Sequence, residues 1–438
     1  MTTNEKYMLA DEVISRASQS GAQQISVSLD HSRSTNVDIR NKQIDKLTES
    51  NRSSLTINLY VDNKYSAHTT NRLKKTDLFS FVDEAIAATK FLAEDQFRKL
   101  PEPELYYKGG GTDPNLLDKS IEDIDTRAKI DMATQVHDEA YGKDERIIQV
   151  TASYSDTISD RVLVTSNGFR GESARSDVYL SAEVNIKTDT GRPSDYWYET
   201  AQFIKDLKKT GIGISALDRT TKKAGPKKIK SGKYPMILEN RVAMNLFGPL
   251  AQALQGYALD QKQSFLAGKL DKPVTSKLLT VTDDPFVEGG AGSRLFDDEG
   301  LSAVKRLIIE NGVLRNFYID TYYGRKLGMK PTSGSNSNIL FSLGTKDLAG
   351  LMASMKRGIL VTGFNGGNCN GSTGDFSYGI EGYLVENGQV IHPVNEMNIT
   401  GNMNQVFFNL VETGNDFRPG RTVRIPSMLY DNIDFSGI

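Results

Sequence analysis

The chain has 438 residues, more than one ordinary domain holds, so two or three domains are expected. Its apolar share of 38% and charged share of 25% suit buried cores, and 53 basic against 55 acidic side chains leave a formal charge of −2. That balance lacks the basic footprint of a nucleic-acid binder. The lone cysteine, Cys369, has no internal disulfide partner. No apolar run reaches the roughly 20 residues of a membrane helix, and Met1–Glu12 has no apolar signal core, so a cytoplasmic location is expected.

Spacing predicts a helix over Tyr7–Ser20, with Leu9, Val13 and Ala17 one turn apart and Gly21 as its stop. Strands follow where Ile25, Val27 and Leu29, then Val37 and Ile39, then Leu55, Ile57, Leu59 and Val61 alternate with polar residues. A second helix starts near Asp77, with Phe79, Val82 and Ile86 expected on its buried side. Proline and glycine then crowd residues 98–118, which read as a connector. Ser120–Tyr141 reads as one amphipathic helix facing inward through Ile124, Ala128, Ala133 and Val136.

Alternating strands return at Ile148–Tyr154 and Val178–Ile186, with a hairpin signal at Asn167-Gly168 between them. This repeats the earlier helix-then-strands order without residue-level repetition. Nine lysines between 205 and 233 read as a solvated helix and linker, with an anionic contact surface as the rival reading. Beyond them lie a strand at Tyr234–Leu238 and a helix over Arg241–Tyr257, where Gly248-Pro249 predicts a kink or restart. The remainder is almost entirely strand.

The fold class is therefore α+β: an N-terminal helix-plus-antiparallel-sheet region with room for two similar subdomains, and a β-rich C-terminal domain with one prominent internal helix. The expected division is 1–97, a connector at 98–118, a second subdomain at 119–222, and a C-terminal domain at 223–438. That last domain is expected to be a partly closed sheet.

The densest chemical signal is the Gly/Asn-rich stretch Gly363–Gly388, which begins where the apolar strand Gly358–Thr362 runs out and reads as a loop. It lacks the Gly-Lys-[Ser/Thr] ending and following helix of a phosphate loop. The four histidines, His31, His68, His137 and His392, are far apart in sequence, and no zinc-protease helix motif is present. Cys369 and His392 could form a nucleophilic dyad or part of a metal site, but no spacing rule joins them. The clusters Asp283-Asp284 and Asp297-Asp298-Glu299 could bind a cation, although such segments are more often turns.

Several blocks occur together and in order: Tyr234–Arg241, Ser264–Leu270, Thr280–Pro285, Phe296–Gly300, Leu307–Leu314 and the Gly/Asn stretch. In these the chain resembles the TldD/PmbA family, described as modulators of DNA gyrase and as a zinc-dependent protease system. The resemblance implies a cytoplasmic system acting on small or unfolded peptides. In its TldD branch a His-Glu-x-x-x-His helix and a C-terminal cysteine hold the metal.

Here the corresponding helix reads Leu-Phe-Gly-Pro-Leu-Ala over Leu246–Ala251, and Gly414–Pro426 contains no cysteine. The resemblance is thus to the PmbA/TldE branch. It implies no catalytic residue and no metal ligand in this chain, with zinc expected in a TldD-like partner. The expected assembly is a homodimer or a heterodimer with such a partner, without direct nucleic-acid or membrane contact. Asn365, Asn368, Asn370 and Asp375 are the expected substrate- or partner-binding residues, since they could offer amide and backbone groups to an extended peptide. The alternatives are a metallopeptidase with an unconventional metal site, or a non-proteolytic regulator of gyrase or its inhibitors.

Overall fold

A computed structural model of the chain describes residues 1–437. Helix α1 (Thr3–Gln19) starts four residues before its apolar pattern, because Thr2 and Glu5 form a reciprocal capping box. Strands β1 (Gln24–Arg40), β2 (Gln43–Val61) and β3 (Lys64–Thr70) then form an antiparallel meander. Helix α2 (Lys75–Thr89) buries Leu78, Val82, Ala85 and Ile86. Phe79, expected on that buried side, instead lies under the cations of Arg16 and Lys75.

The expected single helix from Ser120 is two elements. A 3-10 turn covers Lys119–Asp123, and Asp125 then caps α3 (Thr126–Asp138) by accepting from the Ala128 N–H at 2.7 Å. This restart turns Ala128 outward and Lys129 inward. Strands β4 (Ile147–Thr165), β5 (Arg170–Ile186) and β6 (Ser194–Ala201) complete one six-stranded sheet in the order β3-β2-β1-β4-β5-β6.

Both N-terminal helix–strand regions therefore share a sheet, joined along β1 and β4. The long strands carry two cores on one face. Ile25, Val27, Leu29, Val162 and Val164 pack with α1 and α2 at one end, and Val37, Ile39, Val150, Ala152 and Tyr154 pack under α3 at the other. Helix α4 (Ile212–Lys222) joins the second core through Ile212 and Ala216.

The C-terminal region opens with β7 (Gly232–Leu238), α5 (Ala243–Ala253) and α6 (Gly256–Asp260). Helix α5 runs through Pro249 without a restart and breaks instead at Leu254-Gln255. The carbonyl that Pro249 leaves unbonded belongs to exposed Asn245.

Strands β8 (Val281–Asp284), β9 (Arg306–Glu310) and β10 (Val313–Leu314), helix α7 (Thr321–Leu327) and strand β11 (Asn338–Phe341) come next. They precede α8 (Leu348–Ala353), β12 (Arg357–Cys369), β13 (Asp375–Glu386) and β14 (Gln389–Asn402). Helix α9 (Met403–Val406) and strands β15 (Leu410–Thr413), β16 (Val423–Arg424) and β17 (Met428–Ser436) end the chain.

One five-stranded sheet runs β10-β9-β8-β11-β16, and one six-stranded sheet runs β14-β13-β12-β7-β17-β15. An extra pairing of β14 with β17, Asn398 to Ser436 through Thr400 to Asp434, closes the second sheet on itself. Helix α5 fills the space between the sheets: the Phe247 ring meets Phe341 at 5.0 Å and Phe407 at 4.9 Å.

Candidate functional site

The Gly/Asn stretch is not a loop. Strand β12 continues through it to Cys369 and turns tightly at 370–374 into β13. Glycine is needed here for close strand approach: a Cβ on Gly367, whose φ is +121°, would lie 2.1 Å from the Ser377 carbonyl oxygen.

The ladder breaks repeatedly in one region. Between β12 and β13 the register skips from Val361–Gly382 to Gly363–Glu381, leaving Thr362 without an opposite residue. It skips again from Phe364–Ile380 to Gly366–Gly379, leaving Asn365 out. Between β13 and β14 it passes from Ile380–Met397 to Gly382–Val394, leaving out Glu381, Asn395 and Glu396. Bulges release residues from the ladder and re-aim their side chains.

Thr362, Asn365, Glu381 and Asn395 all line one cleft of about 420 Å³, walled on the far side by the β5–β6 turn and by Lys223 and Pro226 after α4. Asn365 donates its amide to Asn395 at 3.0 Å. Thr362 is 3% exposed, and its hydroxyl has no hydrogen-bond partner.

Beneath the cleft lies a buried charge network. Arg219 grips Glu239 with two bonds of 2.7 and 2.9 Å, Arg241 meets Asp195 at 2.9 Å, and Lys223 bridges Asp195 at 3.1 Å and Glu381 at 2.5 Å. Burial alone would lift the Asp195 carboxyl, but Arg241, Arg219 and Lys223 outweigh it and hold the group below the usual carboxylate range. The network ties β6 and α4 to β7 and β13, which fixes the two cleft walls relative to each other.

Of the four residues singled out from sequence, Asn365 lines this cleft. Asn368 sits opposite Ser377 on the exposed arm of the hairpin. Asn370 accepts from the Ser372 and Thr373 N–H groups at 2.9 and 3.2 Å, which builds the turn. Asp375 accepts from Asn402 and Thr373, each at 2.7 Å, and those bonds hold its carboxyl below the usual range.

Cys369 and His392 are separated by register. Cys369 faces Phe376 whereas His392 faces Leu384, eight positions or roughly 26 Å along β13. Partial burial and then Asp375 push the Cys369 thiol up, the opposite of nucleophile activation.

The acidic clusters are structural. Asp283 pairs with Arg306 at 2.9 Å, Asp284 with Lys305 at 2.7 Å and Asp298 with Arg161 at 2.9 Å, while Asp297 accepts from the Glu299 and Leu301 N–H groups. Among the nine lysines of 205–233 the eight others are exposed, but Lys223 is drawn into the network under the cleft. Sequence reading missed Lys223, Thr362, Glu381 and Asn395. Thr362 closes an ordinary apolar run and carried no signal.

Family models match the chain in three consecutive pieces: PmbA/TldA metallopeptidase domain 1 over 25–89, the central domain over 119–224 and the C-terminal domain over 231–437. A solved Bacteroides thetaiotaomicron protein, named as a candidate modulator of DNA gyrase, is 44% identical and superposes with a TM-score of 0.98 over 100% of both chains. The chain belongs to the TldD/PmbA family. The metalloprotease PmbA homolog of Haemophilus influenzae is 29% identical over 92% of this chain and 89% of that one. TldE of Thermococcus kodakarensis, at 19% identity, shares the fold with a TM-score of 0.85 over 98% of this chain and 100% of that one.

Within this family member, α5 occupies the place where the resemblance puts the metal-binding helix of the TldD branch. It turns Leu246, Phe247, Leu250 and Ala253 into the core and presents no imidazole, thiolate or carboxylate. Among the described residues no three His, Cys, Asp or Glu side chains form a group that could hold a metal. None of the helices of the described chain is long and apolar enough to cross a membrane.

Proposed function

We propose that this chain is a PmbA/TldE-like, non-catalytic subunit of a cytoplasmic two-chain metallopeptidase, contributing the surface that holds a peptide while a TldD-like partner supplies zinc and hydrolysis. The observation that carries this reading is α5, whose inward face is wholly aliphatic and aromatic where the family's catalytic branch needs ligands. The names of relatives support the peptidase setting: those of Haemophilus influenzae and Escherichia coli are metalloproteases PmbA.

The bulged cleft supports the holding role. Extended peptides are bound largely through main-chain hydrogen bonds. Here residues freed from three adjacent strands present amides, a carboxylate and a buried unpartnered hydroxyl on one wall. The cleft also lies within the roughly 300–1,000 Å³ range of small-ligand sites.

The test is recovery of partners with the tagged full chain after nuclease treatment. Recovery of a family member carrying His-Glu-x-x-x-His is the expected result. Recovery of gyrase without that member would favour the regulatory alternative and overturn the subunit reading.

A further inference from the structure

Three cations, Arg219, Lys223 and Arg241, face three anions, Asp195, Glu239 and Glu381, in the network below the cleft. Lys223 and Glu381 line the cleft but are thus already paired. The remaining charged side chain on its lining is Arg192, exposed on the β5–β6 turn. It has no hydrogen-bond or ion-pair partner among the described residues. The same cleft holds the buried, unpartnered hydroxyl of Thr362 and the adjoining amides of Asn365 and Asn395.

A free guanidinium lining the same cleft as hydroxyl and amide groups supplies the donor set of a carboxylate site. The planar fork of arginine matches two carboxylate oxygens, and further donors satisfy the remaining lone pairs. Beside these donors Pro193, Pro226 and Pro393, which have no N–H, join Val394 to give the cleft an apolar strip among Thr188, Thr190 and Ser194. Such a strip suits the side chain of a terminal residue.

We infer that the cleft recognises the free C-terminal carboxylate of a short peptide, with Arg192 as its counter-ion, a step that rests on the peptide-holding role proposed above. Selection then falls on chain ends, which small and unfolded peptides offer and internal loops of folded proteins do not.

The experiment titrates the full chain with an N-terminally labelled six-residue apolar peptide in three forms: free acid, C-terminal amide, and amide with one internal glutamate. At low ionic strength the acid is expected to bind about tenfold tighter than either amide, as a charge-assisted contact does over a neutral one. Arg192→Gln, an exposed substitution that leaves the core untouched, is expected to bring the acid to the level of the amide and leave the amide unchanged. Thr362→Val is expected to weaken the acid several-fold.

Equal binding of acid and amide, or a glutamate-containing amide as tight as the acid, overturns the C-terminal assignment and leaves the holding role standing. Acid binding unchanged in both variants places the carboxylate elsewhere and also overturns it. Failure of all three peptides to bind, with and without a His-Glu-x-x-x-His family member present, overturns the holding role itself.

Discussion

Arg241 and Asp195 are 3% and 2% exposed at their side chains, so each depends on the other and on Arg219, Glu239 and Lys223 for the compensation water would otherwise give. Arg241→Ala leaves Asp195, Glu239 and Glu381 sharing only Arg219 and Lys223, and an uncompensated buried charge of this kind costs about 3–5 kcal/mol. Chemical denaturation should therefore show a large fall in stability for that variant, and an unchanged midpoint would show the network to be structurally idle. Asp298→Ala, which removes an exposed partner of Arg161, should stay within about 1 kcal/mol of the parent in the same measurement.

Glu299 tests the same physics through pH. Its burial, with Asp297 and Asp320 nearby, raises its carboxyl from the ordinary 4.5 to about 7, against the hydrogen bonds it accepts from Thr321. Below pH 4.5 both folded and unfolded chains hold this proton. Between pH 4.5 and about 7 the folded chain holds it while the unfolded chain has released it, so this group's contribution to stability falls as pH rises. The stability of Glu299→Gln relative to the parent should accordingly grow from pH 5 to pH 8. Parallel pH profiles for the two proteins would contradict the shift.

At the scale of elements, what the sequence revealed depended on whether one side chain or several strands made the structure. Alternation placed Ile25, Val27, Leu29, Val37 and Ile39 on one face of β1, and each is buried, because a strand's two faces follow directly from its residues. In helix α3 the expected Ala133 and Val136 are buried, and only the first turn departs from the pattern. An apolar pattern favours Ala128, yet the buried residue is Lys129, held by Asp156 at 2.6 Å and Thr35 at 2.8 Å from strands that no local pattern brings near.

Glycine misled in the hairpin of β12 and β13. Its density there suggests a loop, but it serves contact: a Cβ on Gly363 would lie 2.3 Å from the Glu381 carboxylate, and one on Gly382 would lie 2.0 Å from the Leu360 carbonyl oxygen. Because that oxygen is backbone it cannot swing aside. Gly382→Ala should cost about 1–3 kcal/mol as an overpacked site does, and should weaken peptide binding by distorting the bulge. Retained stability with lost binding would assign Gly382 to the ligand instead of the sheet. Bulges are properties of strand pairs, which explains why Asn365 was visible as an asparagine in a glycine-rich run while Thr362 and Glu381 were not.

At the scale of the whole molecule, one sheet built from both N-terminal regions meets a closed C-terminal sheet, and the cleft opens where the β5–β6 turn of the first approaches the bulged strands of the second. The internal helix that sequence placed near Arg241–Tyr257 proves to be the core element between the two C-terminal sheets, committed to packing through Leu246, Phe247 and Leu250. A helix so buried holds the domain together, and Leu246→Ala should lower stability by about 2–5 kcal/mol.

The division of labour between a holding chain and a hydrolysing chain is most directly measured by peptide cleavage. The full chain, a family member carrying His-Glu-x-x-x-His, and the two mixed are each given the same unfolded peptide, with and without a chelator. The expected result is no cleavage by this chain alone and chelator-sensitive cleavage by the mixture. Chelator-sensitive cleavage by this chain alone would contradict the account.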